Sequence, residues 1–289
     1  MPLAVVTGAT GGIGYETAVG LARAGHHVVL TGRSAERGKE ALARLRRALP
    51  GADAEFALLD VGKLDAVAAF AEAWRRPIDV LVDNAGVMGS PTRRLTADGF
   101  EEQFGVNYLG HFALTLRLIP RLLEAGQARV VSVSSLAHRS GRIDFDDLQS
   151  ERSYQPMRAY AQSKLAMLIF ARELQRRATE RGWPLLSIAA HPGWAATQIV
   201  VKGFGGLRGL IAQAGFSLLA QSAANGAKPI LHAALAPDVE PGGYYGPAHL
   251  NETRGRPAPA RVMPQASDEA AAARLWSVSE ALAGVTLPS

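Results

Sequence analysis

The chain has 289 residues, 48% hydrophobic and 20% charged, a balance that excludes a disordered segment or a membrane bundle and suffices for one large core. Its formal charge of +5 is spread over many segments, which argues against a nucleic-acid face, and no apolar run reaches the length of a membrane span. The absence of cysteine removes disulfides, thiolate metal sites and a cysteine nucleophile, and leads us to expect a reducing, cytoplasmic setting with no metal centre.

The first strand-like run, Leu3–Thr7, starts almost at the initiator methionine and leaves no room for a cleavable signal. It leads into Thr7-Gly8-Ala9-Thr10-Gly11-Gly12-Ile13-Gly14 and a helical stretch from about Tyr15. Gly8 permits a sharp exit from the strand, Gly12 lets the backbone approach a pyrophosphate, and Gly14 lets the helix pack close to the sheet. The free N–H groups of the helix start then face the phosphates. A second run, His27–Thr31, ends in Gly32-Arg33-Ser34. A carboxylate at that place would bond the ribose 2′-hydroxyl of NAD. Arg33 suits a 2′-phosphate instead, with Arg37 or Lys39 adding charge, so the expected cofactor is NADP(H).

The third run, Glu55–Asp60, and the fourth, Val80–Asn84, continue the alternation of strand and helix. A polar Asn107 stands in the apolar helical stretch Phe100–Leu123 and requires a reason, a core hydrogen bond being the plain one. The fifth run, Arg129–Ser135, places Ser135 at the carboxyl end of the sheet, where ligands bind; Ser134 is the competing choice, and alternation lets only one of the two face the site. Tyr160 and Lys164 lie one turn apart on a helix from about Met157 to Arg177, so an ammonium can act on a phenol whose ordinary pKa is about 10. Tyr154 has Arg158 at the same spacing, but Pro156 keeps it outside the helix.

The sixth run, Leu185–His191, precedes Pro192-Gly193-Trp194, with His191 read as structural. The apolar stretch Ile199–Ala220, within a segment 198–226, reads as a substrate lid, a core helix or a membrane-contact surface. A short seventh run covers Gly243–Tyr245, and the Pro/Arg/Gly-rich segment Thr253–Pro264 reads as a loop. A last helix, 267–284, would be capped by Ser267, present Leu275, Val278 and Leu282 inward, and stop at Gly284. The expected fold is one α/β domain over 1–289, a doubly wound Rossmann sheet of seven mostly parallel strands with helices on both faces.

Thr7–Gly14, Asn84–Gly86, Asn107, Ser135, Tyr160, Lys164 and Pro192-Gly193, in this order, resemble the short-chain dehydrogenase/reductase family over residues 3 to about 200. Ser134-Ser135-Leu136-Ala137-His138, Gly141–Phe145 and Ser163–Ala166 look like its retinol-dehydrogenase-type members. The resemblance implies hydride transfer to or from a small apolar carbonyl or alcohol, with Tyr160 as acid/base, Ser135 holding the substrate oxygen, and Lys164 and Asn107 completing a proton relay. It implies cofactor contacts at Gly8, Thr10, Gly12, Ile13, Gly14, Arg33, Asp60, Val61, Asn84, Ala85, Gly86, Tyr160, Lys164, Pro192, Gly193 and Thr197. Asp60 would meet the adenine amino group or merely cap a helix. Asp83 departs from the family, which often has asparagine there. Relatives that reduce protochlorophyllide use a cysteine, which this chain lacks. A homo-oligomer and a catalytically silent NADP-binding protein on the same fold are also compatible with the pattern.

Overall fold

A computed structural model describes residues 1–89, 91–194 and 221–288. Eight strands form one sheet: β1 Leu3–Val6, β2 His27–Gly32, β3 Ala54–Leu58, β4 Val80–Asp83, β5 Ala128–Val133, β6 Leu185–Ala190, β7 Tyr244–His249 and β8 Arg254–Pro259. Their order is β3-β2-β1-β4-β5-β6-β7-β8, parallel except for the final antiparallel pair. The sequence runs are thus found as strands, with ends shifted by one to a few residues. The direction of winding reverses between β1 and β4, so the carboxyl ends of these two strands flank the crevice where doubly wound sheets take ligands.

The eighth strand corrects the expectation of seven and of a loop over Thr253–Pro264. Pro257 and Pro259 cannot donate to a ladder, yet β8 is the sheet's edge and needs donors on one side only. Period-two alternation explains why the central strands are apolar on both faces: on β1, Leu3 and Val5 face one layer while Ala4 and Val6 face the other. One layer contains α1 (Gly12–Arg23), α2 (Ala35–Ala48) and α7 (Ala223–Leu235). The other contains α3 (Leu64–Ala73), α5 (Gly110–Leu123), α6 (Pro156–Glu180) and α8 (Glu269–Ala283).

Before α5 the chain forms a short α4 (Glu102–Phe104) and a π-turn, Gly105–Leu109. The segment expected as one helix is therefore interrupted, and Asn107 lies in the interruption. At α8 the cap is Asp268, whose carboxylate accepts from Ala271 N–H at 2.9 Å, and not Ser267. Gly284 closes the helix in the left-handed conformation (φ 60°), as its position predicts. The inward anchor is Trp276, 2% exposed, which the expected stripe omitted.

Candidate active site

The turn after β1 is built against the turn after β4. Gly8 has φ 64°, and a methyl group there would lie 2.8 Å from the Ala85 Cα, so the two turns can meet only at a glycine. A side chain at Gly14 would strike the Asn84 amide and the Gly8 carbonyl. Thr7 Oγ1 accepts the N–H groups of Asn84 at 2.8 Å and Ala85 at 2.9 Å, and the Asn84 amide donates to the Thr7 carbonyl at 2.7 Å. Asn84 therefore ties the crevice walls together. Gly12 (φ 57°) opens α1, with Ile13 next to it, and the Thr10 methyl rests against Gly32.

Arg33 is exposed directly after β2, and the Arg37 guanidinium reaches to 3.8 Å from where a side chain at Gly11 would begin. The Arg37 guanidinium thus borders the glycine turn. Ser34 caps α2, accepting from Arg37 N–H at 3.3 Å. Asp60 closes its own turn, accepting from Gly62 N–H at 3.0 Å, while Val61 is buried beside α5. The helix-cap alternative for Asp60 does not hold, because Asp98 accepts from Leu64 N–H at the start of α3 at 3.0 Å.

Helix α6 starts at Pro156, whose missing N–H costs nothing in a first turn, and Tyr154 remains outside it, hydrogen-bonded to Gln103 at 3.2 Å. Tyr160 and Lys164 both point into the crevice region. The Lys164 ammonium is buried, donates to the Val133 carbonyl at 2.9 Å and lies 6.0 Å from the centre of the Tyr160 ring. Burial lowers its pKa to about 8. Burial pushes the Tyr160 phenol up, and the neighbouring Ser135 side chain opposes that shift. Ser134 is turned away as alternation requires, donating to the Lys164 carbonyl at 2.7 Å. Of the two serines, Ser135 is the one beside the phenol.

The Asn107 amide donates to the Val87 carbonyl at 2.9 Å and the Ser163 hydroxyl at 3.0 Å, and its oxygen accepts from Val87 N–H at 2.7 Å. It clamps the Asn84–Gly86 turn to α6. A side chain on Gly86 would lie 3.2 Å from the Asn107 amide oxygen and 3.6 Å from the Lys164 ammonium, so glycine keeps a space open above both. His111 Nδ1 donates to the Asn107 carbonyl at 3.1 Å, which leaves Nε2 to accept from Thr7 at 2.9 Å. Burial lowers its pKa to about 3, so the ring is neutral. This histidine, absent from the sequence reading, links the nucleotide turn to the π-turn.

Asp83 is 1% exposed. It accepts from Thr115 at 2.8 Å through one oxygen, while the other has no partner among the described residues. Burial pushes its pKa up to about 8. Pro192 and Gly193 follow β6 at the same edge, with Gly193 at φ 67°. Thr197 and the stretch Ile199–Ala220 lie outside the described residues, so their expected roles rest on sequence alone.

Together these features form a glycine-lined dinucleotide crevice with a serine, a tyrosine and a buried lysine at one end. The chain belongs to the short-chain dehydrogenase/reductase family, whose model for "short chain dehydrogenase" matches residues 2–204. It is an oxidoreductase of that family, and the family's cofactors are nicotinamide dinucleotides.

Among its relatives is a polyprenol dehydrogenase of Mus musculus, 40% identical over 98% of this chain and 84% of that protein. A retinol dehydrogenase 12 of the same organism is 39% identical over 97% of this chain and 86% of its own length. A solved structure described as a putative uncharacterized protein from Mycobacterium paratuberculosis superposes with a TM-score of 0.83 at 39% identity, covering 100% of this chain and 96% of that one. The retinol-dehydrogenase likeness read from the sequence is thus supported over nearly the whole chain. Among the described residues no helix is long and apolar enough to cross a membrane.

Proposed function

We propose that the protein is an NADP-dependent dehydrogenase or carbonyl reductase acting on an apolar alcohol or carbonyl compound. The observation that carries this reading is the Ser135 side chain next to the Tyr160 phenol and the buried Lys164 ammonium, at the end of a glycine-lined crevice that the Arg37 guanidinium borders. The space kept by Gly86 and the left-handed Gly8 and Gly12 fit a bound dinucleotide. Arg33, Thr10, Ile13, Ala85 and Pro192 would border it, and the nicotinamide, when bound, supplies or accepts the hydride.

In this reading Ser135 orients the substrate oxygen and Tyr160 exchanges its proton. Lys164 favours the phenolate by its charge and bonds the cofactor ribose. Asn107 holds the turn above Lys164, and the family resemblance extends the relay to a water beside it. A phenol pushed up by burial needs roughly 1.4 kcal/mol of added stabilisation for each pKa unit by which it must fall. The Lys164 ammonium, together with the charge of a bound oxidised nicotinamide, would provide it.

Polyprenol and retinol, named in the relatives' activities, are long apolar alcohols, which supports an apolar substrate. The test is turnover of a panel of apolar aldehydes, ketones and alcohols with NADPH or NADP⁺ and with NADH or NAD⁺. Turnover preferring the phosphorylated cofactor is the expected result. Tight NADPH binding with no turnover across the panel would favour the silent cofactor-binding protein instead.

A further inference from the structure

Glu252 stands at the tip of the β7–β8 hairpin, in a run of three non-glycine residues with positive φ: Leu250 at 51°, Asn251 at 55° and Glu252 at 65°. Side chains disfavour that region, so a run of three persists only where surrounding contacts fix it. Those contacts converge on two other loops. Glu252 accepts from His191 Nε2 at 3.0 Å and from Arg261 N–H at 3.0 Å, and lies 2.8 Å from the Arg139 guanidinium. Arg139 also donates to the Asn251 side chain at 3.0 Å.

His191 is fully buried, its ring packed on Tyr244 and against Gly246, where a side chain would collide with it. Gly193 N–H donates to its Nδ1 at 3.1 Å. The single ring proton of the neutral imidazole must then sit on Nε2, where Glu252 accepts it. Burial lowers the His191 pKa, which keeps this tautomer neutral. The same hairpin holds the loop a second time, because Thr253 carbonyl accepts from Trp194 N–H at 2.9 Å. Arg139, for its part, belongs to the short helical turn Leu136–Ser140 that Ser135 caps. One carboxylate therefore reaches both the loop after β5, with Ser135, and the loop after β6, with Pro192 and Gly193.

We propose that Glu252 is a positioning residue for the nicotinamide half of the cofactor, holding the Pro192-Gly193 turn through His191 and the segment after Ser135 through Arg139. The inference rests on the reading that Pro192 and Gly193 border the nicotinamide. It adds a residue outside the catalytic constellation, contributed by an edge hairpin, whose effect is confined to one half of the dinucleotide.

The test is calorimetric titration of NADPH and of 2′,5′-ADP, which carries the adenosine half without nicotinamide, into the parent, Glu252→Ala, Glu252→Gln and Gly193→Ala proteins. Glu252→Ala should weaken NADPH by about 10-fold and 2′,5′-ADP by less than about twofold, since the anchors lost at His191 and Arg139 both serve the nicotinamide end. Glu252→Gln keeps an acceptor for His191 and should recover part of the loss, to about threefold. If the alanine variant does not fold, the glutamine variant decides, because a general loosening would weaken both ligands alike. Unchanged NADPH binding in the Glu252 variants, or equal weakening of both ligands, overturns the proposal. Gly193→Ala separates the two levels: its methyl group would lie 2.5 Å from the Thr253 carbonyl, so NADPH should weaken selectively there too. Should Gly193→Ala leave NADPH unaffected, the reading of the turn itself fails and the proposal with it.

Discussion

Asp83 is a carboxyl group placed where the protein gives it one hydrogen bond and no counter-charge. Its pKa near 8 in the fold, against an ordinary value of 3.8, means that the folded state binds a proton the unfolded chain has released between those limits. Stability contributed by this site therefore falls as pH rises from about 4 to about 8. At pH 7 the cost approaches about 4 kcal/mol, at roughly 1.4 kcal/mol per unit. Asp83→Asn, which keeps an acceptor for Thr115, should raise the urea midpoint at pH 7 and flatten the pH dependence of stability over that window. A midpoint that stays put at both pH 5 and pH 8 would contradict a protonated Asp83.

Arg33 is the second case at this scale, since an exposed cation directly after β2 should act through the 2′-phosphate alone. A charge-assisted contact contributes roughly 1.5–3 kcal/mol, so NADPH should bind about 10- to 100-fold more tightly than NADH. In Arg33→Ala, fluorescence titration should show NADPH weakened and NADH nearly unchanged. Arg33, Tyr160, Lys164 and Ser135 were all legible in the sequence, because each lies at a strand end or at a helical spacing. His111 and Glu252 were not. One is an unremarkable polar residue in a helix, and the other owes its place to a left-handed turn with no glycine to announce it.

Helix α8 shows how a peripheral element supports the site. Trp276 stacks on Phe170 of α6 at 5.9 Å between ring centres and meets Phe112 of α5 edge-on at 5.1 Å, while Ser279 bonds Tyr108 of the π-turn at 2.7 Å. Phe170 lies on the helix that carries Tyr160 and Lys164, so α8 braces that helix from behind. Trp276→Ala should cost about 3–5 kcal/mol in urea unfolding. Trp276→Phe should cost much less, because the indole N–H has no partner among the described residues and its loss removes an unsatisfied donor. Equal losses in the two variants would contradict that packing account. Periodicity announced this helix and put Leu275 and Leu282 on its inner face, where they lie, but it missed Trp276 and the π-turn. Hydrophobic spacing carries no sign of an i→i+5 hydrogen bond, nor of the close approach of Gly110 to the Val61 carbonyl. The edge strand β8 was hidden by its own prolines.

At the scale of the whole molecule, the order of winding decides where chemistry can occur. The reversal between β1 and β4 opens the crevice. The glycine turn and Asn84–Gly86 line it, and β5, β6 and α6 bring Ser135, Gly193, Tyr160 and Lys164 to the same edge. All of this rests on strands buried on both faces, which made the architecture the most legible part of the sequence. We propose that this convergence makes Tyr160 the acid/base of a hydride transfer. The most direct test is Tyr160→Phe, measuring NADPH dissociation constant and kcat on the best substrate of the panel. Removing one hydroxyl should leave the dissociation constant within about twofold and lower kcat by about 10²-fold or more. Near-parental turnover in that variant would contradict the account.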